Sequence, residues 1–279
     1  MKNFKNIKNI VGVFALSAII VSCDVDNTLD EIVEPEIVYA TATAGSADFS
    51  NFISLGNSLT HGVVSGTVFI ASQENSFPNI MANQMKAMGG GEFIQPLVND
   101  NIGGLLYGGQ VLSGPRLYFN GAGLAVLDAT PTTEVTNKIS GPFNNFGVGG
   151  AKSFHLIAPG YGSVPGVLAG TANPYFAMMS SSETASVLED AVATNPTFFS
   201  LWIGNNDVLG YALSGGDGSN PITDTPTFNF AMTTLVETLT ANDAKGIIAN
   251  IPNVTDIPFF TTVSYNPVPL DAATAGQLN

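Results

Sequence analysis

One cysteine, Cys23, is the whole thiol inventory of the 279 residues, so no disulfide can form within a single chain. Charge is nearly as scarce. Only 11% of the residues are charged, and eight bases face 22 acids for a net charge of −14. A chain this acidic is repelled by nucleic acid and by anionic lipid, so neither is an expected partner through a basic patch. Histidine occurs twice, as His61 and His155, and never after residue 155. The isolated Asp and Glu residues form no metal-ligand grouping, and no phosphate-binding loop is present; no metal or cofactor is expected. Long apolar runs are missing too. Residues 10–21, 12 in number, are too few to span a bilayer as a helix.

That short run has another reading. Lys2, Lys5 and Lys8 precede it, and Ile20-Val21-Ser22-Cys23 closes it. A positive region, an apolar region and a small residue before the cleavage point make a secretory signal over residues 1–22. The closing tetrad resembles a bacterial lipobox, which implies that Cys23 becomes the lipidated first residue. Loss of residues 1–22 removes three lysines and no acid, leaving five bases against 22 acids, a net −17. Membrane attachment is then expected from the lipid. Asp24, Asp26, Asp30, Glu31, Glu34 and Glu36 follow, then Thr, Ala, Gly and Ser, so residues 23–49 read as a lipidated Cys and a flexible acidic tether. Acids directly behind the cysteine resemble the surface-export signals of Bacteroidetes lipoproteins. The implied location is the cell envelope, lipid-anchored at the outer membrane.

From residue 50 the composition changes. The chain is 45% hydrophobic, enough for a sizeable core, with 30 Gly and 16 Pro to break it into many elements. Apolar runs at 52–55, 197–203 and 245–251 predict strands, with another near Phe143. Helices are expected at 77–88 behind Ser76, at 185–192 behind a Ser180/Glu183 capping box, and from Thr225 onward. The last has Phe228, Met232, Leu235, Val236 and Leu239 on one face. Strands alternating with helices predict an α/β fold, three layers around a mostly parallel sheet. Residues 89–143 interrupt the rhythm with glycine and scattered apolar residues. They read as an inserted hairpin region, either a cap over the site or packing at the sheet edge.

Three short motifs fall where strands should end, the place at which open parallel sheets bind ligands. They are Gly56-Asn57-Ser58-Leu59-Thr60, Asn145-Phe146-Gly147-Val148-Gly149-Gly150-Ala151 and Gly204-Asn205-Asn206-Asp207. The chemistry they fit is acyl transfer. A serine at a strand-to-helix turn is an exposed nucleophile, and attack on an ester carbonyl creates an oxyanion that needs fixed donors. Ser58 is the candidate nucleophile, and the Ser58 N–H, the Gly150 N–H and the Asn206 amide are the candidate donors. Asp207 is read as the cap of the following helix, and Trp202 as core.

Here the chain resembles the GDSL/SGNH hydrolase family. The family's Gly-Asp-Ser-Leu block appears as Gly56-Asn57-Ser58-Leu59, its second-block glycine falls on Gly150, and its Gly-x-Asn-Asp block matches Gly204-Asn205-Asn206-Asp207. The run Gln73-Glu74-Asn75-Ser76-Phe77-Pro78 is similar to the family's Asn-Ser-Tyr-Pro. The resemblance covers about residues 50–263 and implies an SGNH-like, flavodoxin-like fold and hydrolysis of a lipid ester or an acetylated glycan. The alternative is a surface lipoprotein that keeps the scaffold and binds lipid or glycan without turnover. Asn57 in place of the usual Asp supports the turn and should do little harm.

One departure is larger. The family's Asp-x-x-His, which supplies the base and its orienting carboxylate, does not occur. His61 stands three residues beyond Ser58, at the same helix start, and an adjacent turn of one helix is a poor place from which to aim at its hydroxyl. His155 reads as a pocket or surface residue. The expectation is a C-terminally truncated domain, with Asp271 capping a helix that is cut short and with activity impaired.

Overall fold

The computed structural model describes residues 41–262 and 272–278. Cys23, the signal segment, most of the acidic tether and Asp271 lie outside them. In chain order the strands are β1 (Phe52–Gly56), β2 (Leu105–Tyr107), β3 (Gln110–Ser113), β4 (Leu117–Phe119), β5 (Leu124–Val126), β6 (Asn145–Gly147), β7 (Phe198–Trp202) and β8 (Lys245–Ile248). The helices begin with α1 (Ser58–His61), α2 (Ile70–Glu74), α3 (Phe77–Met85), α4 (Val164–Leu168) and α5 (Pro174–Met179). They continue with α6 (Val187–Val192), α7 (Asn205–Leu213), α8 (Thr225–Thr240), α9 (Pro258–Thr261) and α10 (Ala272–Leu278).

β6, β1, β7 and β8 form one sheet in that order, and every pairing in it is parallel. Alternation along each strand sends residues to two faces. Ile53 and Leu55 of β1 and Phe199 and Leu201 of β7 meet Val187, Leu188 and Ala191 of α6 and Leu235 and Leu239 of α8. Phe52 and Phe198 point the other way, onto Ala82 and Met85 of α3. The architecture is therefore α/β, with helices packed on both faces of a parallel sheet, an arrangement compatible with three layers.

Local differences from the sequence reading have simple causes. Ser-x-x-Glu occurs twice, and the second copy is the cap. Ser186 accepts from the Glu189 N–H while Glu189 accepts from the Ser186 N–H. Ser180 instead ends α5 and is bonded by Lys138, and Glu183 accepts from the Val164 N–H. α8 is capped one residue earlier than expected, by Asp224, whose carboxylate accepts from the Thr227 N–H at 3.0 Å. The strand expected near Phe143, ahead of the second motif, starts two residues later. It is Asn145–Gly147, the opening of the second motif itself, while Phe143 packs into the core. Packing also starts inside the stretch read as tether. Ala47 and Phe49 lie on the Phe52–Phe198 cluster, with the Phe49 and Phe198 rings 4.8 Å apart.

The inserted region does contain hairpins, β2–β3 and β4–β5, both antiparallel. They dock on the loop behind α1 and on α4 and α5. Leu117 donates to the Ser65 carbonyl, the Gly104 N–H donates to Thr67 Oγ1, and Leu105 shares a small core with Val135, Val167, Ala177 and Met178.

Candidate active site

β1 ends on Gly56 for a steric reason. A Cβ there would overlap Thr60 Oγ1 and the Trp202 carbonyl, so only glycine lets the chain fold straight back into α1. Gly147 at the end of β6 has the same role, because a Cβ would strike the backbone of Thr60 and His61. Asn57 caps α1, accepting from the Leu59 N–H at 3.0 Å. Its amide donates to Asn205 Oδ1 at 3.3 Å, and its N–H donates to the Trp202 carbonyl, also at 3.3 Å. The position expected to support the turn therefore also ties the first motif to the third.

The second motif is tied to both. The Val148 N–H donates to the Gly56 carbonyl at 2.9 Å. Gly150 follows with φ +81°, a left-handed turn with open space where a side chain would be. Asn206, in the first turn of α7, donates its amide to the Ala151 carbonyl at 2.9 Å. An amide carries two N–H groups, so one remains for another acceptor. The Ser58 and Gly150 N–H groups donate to nothing among the described residues, and the half-buried Ser58 hydroxyl is likewise unbonded. Ser58, Gly150 and Asn206 thus sit at the carboxyl ends of three adjacent strands, linked through their neighbours, with donors unengaged.

Neither histidine completes this set. His61 is buried, and burial pulls its pKa down to about 4, so the ring is neutral near pH 7. Its edge meets Tyr175, 4.7 Å between centroids, and its Nδ1 has no partner. His155 is half-buried rather than on the surface. Its Nδ1 accepts from the Lys152 N–H at 3.0 Å, and its ring stacks on Tyr161 at 4.7 Å. Burial, and then the Lys152 charge, lower its pKa. Neither ring hydrogen-bonds Ser58.

Asp207 does not cap α7; Gly204 does, with φ +107°. The buried Asp207 carboxylate accepts from the Ser153 N–H at 2.8 Å and from the Ser153 hydroxyl at 2.7 Å. It clamps the chain behind Gly150 to the helix that carries Asn206. Two other supports had no signal as site residues. Asn173 donates to the Gly149 carbonyl at 2.8 Å, yet Asn-Pro reads only as a helix start, which it also is. Tyr175 packs on His61 from a helix more than a hundred residues away. Trp202, expected in the core, is half-buried and stacks obliquely on Phe77 at 5.4 Å, above a partly uncovered sheet face. Among the described residues no group of three or more His, Cys, Asp and Glu could hold a metal ion.

No protein-family model, no characterised protein and no solved structure matches the chain.

Proposed function

We propose that the protein is a GDSL/SGNH-type hydrolase that cleaves carboxylic esters through an acyl-serine at Ser58. One observation carries the reading. An unbonded serine hydroxyl shares the carboxyl end of a parallel sheet with two unengaged backbone N–H groups and one spare amide N–H. Ser58 Oγ attacks the ester carbonyl carbon, and the C=O electron pair moves onto oxygen. That oxyanion is received by the Ser58 N–H, the Gly150 N–H and Asn206 Nδ2. Collapse expels the alcohol, and water then releases the acid from the acyl-serine. The proton of Ser58 needs an acceptor. The resemblance implies a histidine from Asp-x-x-His, and the described site holds none bonded to Ser58. The two histidines' other engagements also favour the second reading, a lipid- or glycan-binding lipoprotein on the same scaffold.

Turnover of p-nitrophenyl acetate separates the two, with and without added imidazole as an external base. The oxyanion donors alone should leave catalysis on the order of 10³–10⁴ over water, with or without the Ser58 hydroxyl; imidazole should raise the rate further, beyond its own reaction with the ester, and Ser58→Ala should abolish that increment. Asn206→Ala should cost about 10²–10³-fold. An imidazole-dependent increment equal in wild type and Ser58→Ala sinks the hydrolase. The proposal extends to lipidation of Cys23 and anchoring in the cell envelope. Palmitate uptake by wild type but not by Cys23→Ala tests that part.

A further inference from the structure

The β4–β5 hairpin has a face that the fold does not cover. Its register opposes Leu117 to Val126, Tyr118 to Ala125 and Phe119 to Leu124. Directly opposed residues share a face, and successive pairs alternate. Leu117, Phe119, Leu124 and Val126 therefore lie on one side, and all four are apolar. Phe119 is 69% exposed, Leu124 77% and Val126 58%. None of residues 117–126 belongs to a hydrophobic cluster of the described residues. The open face of an antiparallel strand pair is ordinarily the polar one. Here it is the apolar one, which marks a surface that meets something other than water.

Three observations select a lipid surface over a protein. The first is area. The three side chains expose on the order of 350 Å², under half of the roughly 800 Å² that one partner contributes to a stable protein complex. The second is the tip, Asn120-Gly121-Ala122-Gly123, which is uncharged and bonds to itself. The Asn120 N–H donates to the Gly123 carbonyl at 3.0 Å, and Asn120 Oδ1 accepts from the Ala122 N–H at 2.9 Å and from the Gly123 N–H at 3.0 Å. Donors paired in this way leave water at little cost. A protein epitope would instead offer them at a polar rim. The third is charge. Residues 101–127 contain one charged residue, Arg116, in a chain with 22 acids. Arg116 stands at the base of the hairpin, its guanidinium 5.2 Å from the centre of the Phe69 ring and its Nε donating to the Asn101 carbonyl at 2.9 Å. Its Nη groups bond nothing among the described residues, and a lipid phosphate is the acceptor they suit.

We propose that the β4–β5 hairpin docks on a bilayer of net-neutral, phosphate-bearing lipid, with Phe119 and Leu124 among the acyl chains and Arg116 at the phosphates. A two-stranded hairpin keeps backbone groups free at its outer edges, which hydrocarbon does not accept. The contact is therefore interfacial. The side chains reach about 5–10 Å in, and the strands stay among the headgroups. It depends neither on the chemistry at Ser58 nor on a lipid at Cys23.

Depth-sensitive fluorescence of the full chain with phosphatidylcholine vesicles tests the surface. Phe119→Trp places an indole on the hairpin, and the emission of Trp202, the one native tryptophan, is measured in wild type and subtracted. Phosphatidylcholine brominated near the headgroup end of its acyl chains should quench the new indole about twofold or more. Phe230→Trp is the control. Phe230 of α8 is 68% exposed, as open as Phe119, and lies outside the hairpin, so its indole should stay unquenched. Adding Leu124→Asp to Phe119→Trp should remove the quenching. An unquenched Phe119→Trp, equal quenching in Phe119→Trp and Phe230→Trp, or quenching that survives a folded Leu124→Asp overturns the proposal, even where the chain binds the vesicles through its N-terminus. Emission of Phe119→Trp that shifts to the blue with protein concentration in the absence of lipid assigns the face to a second copy and overturns it as well. None of these readings moves with Ser58→Ala, so the docking surface and the hydrolase fail separately.

Discussion

β6 and β8 are the two edges of one sheet, and they are opposites. β6, Asn145-Phe146-Gly147, has a single large apolar side chain, yet all three residues are buried. β8, Lys245-Gly246-Ile247-Ile248, has two, yet all four residues are exposed. Burial here follows from what the chain lays over each strand rather than from the strand's own hydrophobicity. Over β6 lie α1, admitted by Gly147, and the segment around Gln95, whose Oε1 accepts from Asn145 at 2.9 Å. Over the outer side of β8, nothing among the described residues forms a pairing. The candidate site grows from the covered edge and from β1 and β7. The donors it needs are thus held by packed backbone, which is the condition for fixed electrostatic stabilisation.

Equal truncations at the two edges should give unequal losses. Phe146→Ala opens the main core and should cost about 3–5 kcal/mol in urea unfolding, whereas Ile248→Ala, at a side chain 48% exposed, should cost about 1 kcal/mol or less. Similar values at both would mean that β8 is covered in solution. The next effect is pH-dependent and belongs to the covered side alone. His61 has a folded-state pKa of about 4 against an ordinary 6.5. The unfolded chain therefore binds a proton that the folded chain refuses. Its contribution is fully present above pH 6.5, lost as the pH falls toward 4, and about 3 kcal/mol in total. His61→Gln should flatten the stability–pH curve in that window. An unchanged slope would assign it to other groups.

The sequence was most legible where a local pattern and its tertiary use coincide. Phe52 to Gly56 reads as an apolar run stopped by glycine and is one. The face of α8 with Leu235 and Leu239 is the face that packs. β6 was not legible as a strand, because Asn-Phe-Gly is turn chemistry locally and becomes a strand only by pairing Asn145, Phe146 and Gly147 with Ser54, Leu55 and Gly56. The two Ser-x-x-Glu boxes were indistinguishable for a related reason: both have capping chemistry, and only the packing of Val187 and Leu188 selects the second. At the site, Ser58 and Asn206 stood out because each lies in a motif with a legible strand before it, and Gly150 because it stands five residues after Asn145 in the second block. Asn173, Tyr175 and the Asp207–Ser153 clamp did not, because each acts on a partner at least 24 residues away.

The smallest expected effect on stability concerns the bare edge directly. Lys245 and Ala249 turn their N–H groups toward β7, bonding Thr197 and Leu201 carbonyls, so in a parallel ladder Gly246 and Ile248 turn theirs outward. An unpaired apolar edge is a template for a second strand. Wild type should therefore associate with rising concentration, visible by light scattering. Ile248→Lys places a charge where another strand would approach and should suppress that association, with about 0.5 kcal/mol or less of change in stability. If instead the lysine unfolded the protein, β8 would be buried in solution, and the contrast between the two edges would vanish. If wild type stayed monomeric at high concentration, the edge would be open yet protected. Lys245, at the start of β8, is then the residue to remove, since an edge lysine is itself a guard against pairing.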